Sequence, residues 1–452
     1  KPLSDEDVAD IYRVPGYTTR VELSRVVHGF PERDVTVALL DENGNTVARM
    51  TREFDSNKKS VSHDTFIITD SRLQGEGIAA ALNARAEERY KEMGFTKVTL
   101  MADIDVGKYA WARQGYDIKA SGVTLDRFCG SGITAVNLAA AMIMSGMENL
   151  IVAGGTEMMS MPNRRTGASG DTALPVMDQG NMRLRASHPQ SNQGVCADAI
   201  ATLEGIPRSA LDALALESQK RADIAIKGGH FAKSLVPVYH EDGTLALDHE
   251  EFPRPQTTLE GLAALKPSFE ALADVPIDST GATYRSLILQ EHPGLDIKFV
   301  HHAGNSSGVV DGSGALLLAS PEYAKKKGLK PRARIVAMAN MGDSPTLMLN
   351  APVPAARKVL EKAGLTLDDI DLFEINEAFA VVAEKFIRDL RLDRDKVNVN
   401  GGAMALGHPI GATGAILIGT ALDELERRDL KRALITMCAG GGQAPAIIIE
   451  RV

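Results

Sequence analysis

Cys129 stands in the run Arg127-Phe128-Cys129-Gly130-Ser131-Gly132, where a strand-like stretch, 122–128, gives way to a small-residue helix. A thiol at that junction faces the positive end of the helix dipole, which favours the thiolate. A second cysteine opens Cys438-Ala439-Gly440-Gly441-Gly442. Between them, His408 sits in Gly407-His408-Pro409-Ile410-Gly411-Ala412-Thr413-Gly414. Two cysteines and a histidine, each in a glycine-rich turn, point to covalent acyl transfer: a thiolate is a strong nucleophile and, as a thioester, a good leaving group. Cys196, in Gly194-Val195-Cys196-Ala197-Asp198, begins a helical stretch without such a partner and reads as core. His301 and His302 read as residues that shape the loop before Ala303.

These residues recur in a weak internal repeat. One copy runs from 122–128 through the Cys129 turn and a helix to Asn149-Leu150-Ile151-Val152-Ala153-Gly154-Gly155. The other runs from Val397-Asn398-Val399-Asn400-Gly401-Gly402 through the His408 turn and a helix to Ala433-Leu434-Ile435-Thr436-Met437-Cys438. Two α/β halves of this kind place Cys129 and His408 at equivalent strand-to-helix turns. Open α/β sheets bind ligands at the carboxyl ends of their strands, so residues distant in sequence can share one cleft.

The chain has 452 residues, 44% of them hydrophobic, enough for two or three domains. A net charge of −9, scattered cations and few aromatics exclude a phosphate-tracking or base-stacking surface. No apolar run approaches the ~18 residues of a membrane span, and no leader opens the chain at Lys1. Three cysteines without metal-ligand spacing fit a reducing compartment, and the expected location is cytoplasmic. Composition shifts near residue 120. Before it, 35–54 reads as two strands around Asp41-Glu42-Asn43-Gly44-Asn45, 65–70 as a strand, 75–93 as a helix and 97–102 as a strand.

From Gly122 to Val452 the sequence resembles the thiolase family. The three glycine-rich segments quoted above match its signatures in order, as do Asn376-Glu377-Ala378-Phe379-Ala380 and Ala303-Gly304-Asn305-Ser306-Ser307-Gly308. The resemblance implies Cys129 as the nucleophile that takes the acyl group, His408 as its base and Cys438 as the second acid/base. It implies one oxyanion hole from His408 and a water on Asn376, and another from the backbone N–H groups of Cys129 and Gly440. It places Ala303, Ser307, Ala378 and Phe379 along the channel for the pantetheine arm of CoA. The implied chemistry is thiolysis of 3-oxoacyl-CoA or the reverse condensation, with CoA and acyl-CoA as substrates, no permanently bound cofactor and no metal. The expected assembly is a homo-oligomer, dimer or tetramer. Lys220, Arg221, Lys227 and Lys233 are candidate phosphate contacts.

The resemblance does not reach the start of the chain. The usual first strands and helices of a thiolase are not recognisable there, and residues 1–121 resemble instead the GNAT-type N-acetyltransferases. Arg72-Leu73-Gln74-Gly75-Glu76-Gly77 follows a strand and opens a helix, as in that family's pyrophosphate loop, with Gly75 and Gly77 as cofactor-binding candidates. Tyr109-Ala110-Trp111-Ala112-Arg113-Gln114-Gly115-Tyr116 resembles its later short helix. The expected fold is α/β: a thiolase fold of two similar βαβαβ halves in α-β-α-β-α layers, lacking its first strands and preceded by a partial acetyltransferase-like segment. The expected divisions are 1–121, the remaining amino-terminal half at 122–155 and 303–325, a CoA-covering loop domain at 156–302, and the carboxy-terminal half at 326–452. The strand, helix, strand unit at 65–102 has the topology of the missing piece and is a candidate to fill its gap. The rival readings are a catalytically impaired CoA-binding chimera and an N-acetyltransferase carried by residues 1–121.

Overall fold

The computed structural model describes residues 5–13, 16–26, 32–55, 60–68, 86, 89–90, 92, 97–100, 122–160, 178, 180–240 and 242–452. Gly75, Gly77, the helix proposed at 75–93 (apart from single residues) and the segment 109–116 lie outside them. Chain contacts group into two units, Lys1–Thr124 and Leu125–Val452.

In the first unit, strands β1 (Thr18–Val26), β2 (Glu32–Leu40), β3 (Thr46–Asp55), β4 (Ser60–Ile68) and β5 (Lys97–Leu100) form one sheet in chain order. The first four pair antiparallel and β5 runs parallel to β4. The β2–β3 turn is the one expected: Asp41 accepts the Asn43 and Asn45 N–H groups at 2.9 and 2.8 Å, and Gly44 supplies φ +81°. Alternate strand residues Val35, Val37 and Leu39 turn inward with Met50 and Phe54, against Val8 and Ile11 of the Asp5–Ile11 helix and Tyr12 just after it. Arg52, 1% exposed, lies with its guanidinium over the Tyr12 ring. Because β4 and β5 are joined to β3 in this sheet, the candidate filling of the thiolase sheet by 65–102 is overturned. Four antiparallel strands already satisfy the ladder that a foreign sheet would have to offer.

In the second unit, β10 (Ala333–Gly342), β13 (Gln443–Arg451), β12 (Arg432–Thr436) and β11 (Leu372–Ile375) form one sheet in that spatial order. Strands β11 and β12 are parallel, and the other pairs antiparallel. Near-continuous burial of β11, β12 and β13 follows from helices on the sheet faces: Pro352–Ala363 packs on β10 and β13, and Thr413–Arg427 on β12. A smaller sheet pairs β6 (Leu150–Met158) antiparallel with β9 (Asp311–Ala319). A two-stranded ribbon, β7 (Val238–Tyr239) with β8 (Leu245–Leu247), lies between these elements in sequence.

Both strands expected before the glycine turns prove irregular. The 122–128 stretch forms no strand: Val123 is 80% exposed and Phe128 adopts φ +52°. Among the described residues no strand lies beside it to offer a ladder. At 397–402 only the isolated parallel bridges Phe373–Val397 and Val399–Gly401 stand where a strand was expected. There the Asn398 side chain takes both backbone groups of Ile375, accepting its N–H and donating to its C=O at 2.9 Å each, so a side chain replaces the ladder.

The long 278–298 stretch, whose role the sequence does not disclose, carries the Tyr284–Glu291 helix. A Thr283–Ser286 capping box opens it, and Leu287 and Ile288 bury against Val195, Ala199 and the rest of the Gln193–Leu203 helix core.

Candidate active site

The repeat brings the two catalytic turns together through glycine. The Ser131–Met144 and Thr413–Arg427 helices cross so closely that a Cβ on Gly132 would stand 2.9 Å from the Gly414 and Ala415 nitrogens. A Cβ on Gly155, in β6, would meet the Gly411 carbonyl oxygen at 2.0 Å. Only residues without side chains permit these approaches. Polar ties reinforce them. Glu157 of β6 accepts the Gly411 N–H at 2.9 Å. Arg127 donates to Gln443 Oε1 at 2.8 Å, and Gln443 in turn donates to the Gly440 carbonyl at 3.0 Å. The nucleophile turn is thus fastened to both other signature turns.

Cys129 is 5% exposed, Cys438 fully buried and His408 5% exposed. Burial pushes the Cys129 thiol up to about 11, against the thiolate expected from the helix terminus. Its own backbone N–H and the Gln193 side chain pull the other way without prevailing. Desolvation by the closed protein interior outweighs the dipole, which is strongest only within the first turn. The Cys438 thiol is likewise raised, first by burial and then by its coupling to Cys129. Burial holds His408 down at about 4, so its imidazole is neutral at neutral pH. Its Nε2 lies 3.3 Å from Asn376 Nδ2 and its Nδ1 lies 2.6 Å from Thr413 Oγ1.

Asn376 ends β11 on a buried scaffold. Glu377 accepts from Ser218 Oγ at 2.7 Å, from Asn398 Nδ2 at 2.9 Å and from the Met404 N–H at 3.2 Å. The 303–308 loop is stitched to this scaffold: Ser307 N–H donates to the Ala378 carbonyl at 3.0 Å, and Ser306 bridges Phe379. Gly308 accepts the His408 N–H at 2.9 Å. Ser307, Ala378 and Phe379 therefore border the same side of the site, and Ala303 opens the short 3-10 turn of the same loop. His301 and His302 shape this loop as expected, bonded to Asp198 at 2.8 Å and Asp212 at 2.9 Å. Cys196 is core, its sulfur 3.2 Å from the Thr346 carbonyl and its thiol pushed up to about 12 by burial.

Of the candidate phosphate contacts, Arg221 is committed to the Arg394 and Val397 carbonyls, Lys227 pairs with Asp223 and Lys233 with Glu426. A cavity of about 450 Å³ lies between the Arg208–Lys227 and Ala380–Leu390 helices, bordered by Ser218, Arg221, Glu377 and Arg388. Neither cysteine nor His408 lines it. Sequence reasoning gave no role to Thr413 or Gln193. Thr413 lay inside a quoted motif, five residues from His408; Gln193 carries no local signal. Glu157 heads the segment Glu157-Met158-Met159-Ser160-Met161, which reads as a possible acyl-pocket lining and otherwise as gap-filling core; the tie to Gly411 was not foreseen.

Residues 98–275 match the family model described as thiolase, N-terminal domain, and residues 329–451 the one described as thiolase, C-terminal domain. The chain belongs to the thiolase family. The amino-terminal match begins ahead of Gly122, so it includes part of the stretch likened above to acetyltransferases. An acetyl-CoA acetyltransferase of Chromobacterium violaceum is 39% identical over 352 residues, 76% of this chain and 83% of that protein. A 3-oxoadipyl-CoA/3-oxo-5,6-dehydrosuberyl-CoA thiolase of Escherichia coli is 40% identical over 362 residues, 77% of this chain and 84% of that one. The crystal structure of the Bacillus anthracis acetyl-CoA acetyltransferase superposes with a TM-score of 0.63 at 33% identity, covering 78% of this chain and 85% of that chain. Among the described residues no helix is long and apolar enough to cross a membrane.

Proposed function

We propose that this thiolase is an acyl-CoA C-acyltransferase that works through an acyl-cysteine on Cys129. In thiolysis, the Cys129 proton passes to His408 Nε2 as the sulfur attacks the 3-oxo carbon. The bond between C2 and C3 then breaks. The acetyl-CoA enolate that leaves takes its proton from Cys438. CoA, deprotonated at sulfur by the Cys438 thiolate, attacks the thioester and releases the shortened acyl-CoA, while the departing Cys129 sulfur takes its proton back from His408. Asn376 with His408, and the Cys129 and Gly440 N–H groups, stabilise the two developing oxyanions. The observation that carries this reading is the burial of Cys129, Cys438 and a neutral His408 in one site, with Asn376 on the histidine's reactive nitrogen. Ser307, Ala303, Ala378 and Phe379 line the pantetheine channel in this reading, supported by their shared border.

The amino-terminal half lacks its first strands in this reading, supported by the pairing of β6 with β9 alone and by the lack of a strand at 122–128 among the described residues. A homo-oligomer in the cytoplasm is the assembly and location that accompany it; exposed Leu138, Val152 and Leu317 supply apolar surface. A second reading is an N-acetyltransferase-like role for residues 1–121 through Gly75 and Gly77, which lie outside the described residues. The test is CoA-dependent thiolysis of acetoacetyl-CoA beside Cys129→Ala, with intact-mass detection of acylated protein. Turnover and a mass gain that both vanish in the variant uphold the thiolase reading. Folded protein that binds CoA but neither turns over nor acylates overturns it.

A further inference from the structure

His408 is held at both ring nitrogens, and the two contacts are chemically unequal. Thr413 Oγ1, 2.6 Å from Nδ1, is also 3.1 Å from the Pro409 carbonyl oxygen. In that contact the hydroxyl is the donor, since a carbonyl only accepts; the same carbonyl also takes the Ala412 and Thr413 N–H groups at 2.8 and 3.0 Å. A hydroxyl whose hydrogen lies on Pro409 meets Nδ1 as an acceptor, which calls for a proton on Nδ1. On the other side Asn376 Nδ2, the donor end of the amide as it is placed, faces Nε2 at 3.3 Å, which calls for a lone pair there. The two contacts, so directed, agree on one tautomer. The ring and the Thr413 side chain are buried, at 5% and 3% exposure, so water does not compete for either nitrogen.

We infer that Thr413 is a positioning residue that fixes the Nδ1–H tautomer of His408 and so keeps Nε2 free to take a proton. The inference rests on the acyl-transfer reading for its consequence: a histidine with its proton on Nε2 has no lone pair to offer Cys129. When Nε2 accepts that proton, the ring becomes imidazolium, and Nδ1–H keeps its bond to Thr413 throughout. No proton passes through Thr413, because its own hydrogen stays on the Pro409 carbonyl. The hydroxyl is an anchor and an acceptor for the cation, as an orienting carboxylate is in other nucleophile–histidine pairs, but without a charge. Thr413 also sits at the first position of the 413–427 helix, and its backbone N–H donates to the same Pro409 carbonyl at 3.0 Å. The turn that carries His408 therefore carries its anchor.

The test is nitrogen-15 NMR of the full chain with labelled histidine, for the wild type, Thr413→Val and Thr413→Ser, with His408→Asn to identify the His408 signals. The wild type and the serine variant are expected to show a protonated Nδ1 and an unprotonated Nε2. The valine variant is expected to lose that preference, and its kcat to fall roughly 100-fold with KM within about threefold, while serine recovers kcat to within about tenfold of the wild type. A wild-type His408 protonated at Nε2 overturns the inference. So does a valine variant that retains both the Nδ1–H tautomer and wild-type kcat. If the valine variant does not fold, the wild-type spectrum decides the question alone. The spectrum needs no turnover, so wild-type protein with the Nδ1–H tautomer and no thiolysis would defeat the acyl-transfer reading and leave the tautomer assignment standing.

Discussion

A Cβ built on Gly414 would stand 2.2 Å from the backbone nitrogen of Ile133, so the helices behind His408 and Cys129 touch backbone to backbone. This contact sets the separation of the two catalytic turns. Gly414→Ala must push the helices apart, since a backbone atom cannot rotate away as a side chain can. Overpacking of this kind costs about 1–3 kcal/mol or more. A lower midpoint of thermal unfolding and a loss of thiolysis larger than the loss of folded protein are expected. An alanine variant with unchanged melting and turnover would show that the helices do not govern the site.

Burial raises Cys129 to about 11 and lowers His408 to about 4, so the resting pair is a neutral thiol beside a neutral imidazole. The proton then moves during attack and not before it. Alkylation of Cys129 by iodoacetamide should accordingly climb about tenfold per pH unit from neutrality to about pH 9. A rate that is already flat from pH 6 upward would reveal a preformed thiolate–imidazolium pair.

The same depression of His408 makes stability depend on pH. Between its folded value of about 4 and its ordinary value of 6.5, the unfolded chain binds the proton and the folded chain does not. Its contribution is thus fully present above pH 6.5 and is lost as pH falls toward 4. Urea unfolding of the wild type and His408→Asn across that window should show a shallower pH slope in the variant. Parallel curves would contradict the assignment.

Cys438→Ala separates the two half-reactions. Acetyl-CoA should still acetylate Cys129, because His408 remains, and intact mass would record the adduct. Thiolysis and condensation should fall by roughly 100-fold or more, for want of a proton donor to the enolate. Full turnover in this variant would remove Cys438 from the mechanism.

Glu374, buried in β11, is held well above the ordinary carboxylate range, first by burial and then by the Glu377 and Glu424 charges. Being raised, it favours folding least at high pH, where the unfolded chain gives up the proton that the folded chain must keep. Glu374→Gln, which keeps the shape without the charge, should gain stability over the wild type as pH rises from 6 to 9. A difference that does not grow with pH would mean the carboxyl is ionised in the fold.

The site was largely legible because its turns announce themselves locally. Glycines at 130, 407, 411 and 440–442 beside Cys129, His408 and Cys438 carry a backbone requirement that the sequence displays directly. The hairpin at Asp41–Asn45 was legible for the same reason. The two irregular stretches were not. At 397–402 a side chain of Asn398 takes the place of a ladder, and at 122–128 no partner strand is present among the described residues, and both facts depend on what lies alongside. Ion pairing hid likewise: Arg221 and Lys233 read as free cations until Arg394, Val397 and Glu426 were beside them.

By itself the sequence determined the family, the candidate reacting groups and the turns that bear them, because residue type and local backbone demand are written in consecutive residues. Tertiary structure alone decided the protonation of those groups. The thiol of Cys129 is neutral because the fold closes over it, and the proton of His408 sits where Thr413 and Asn376 allow. Desolvation and hydrogen-bond direction are properties of surroundings assembled from distant segments, and no local stretch of chain contains them.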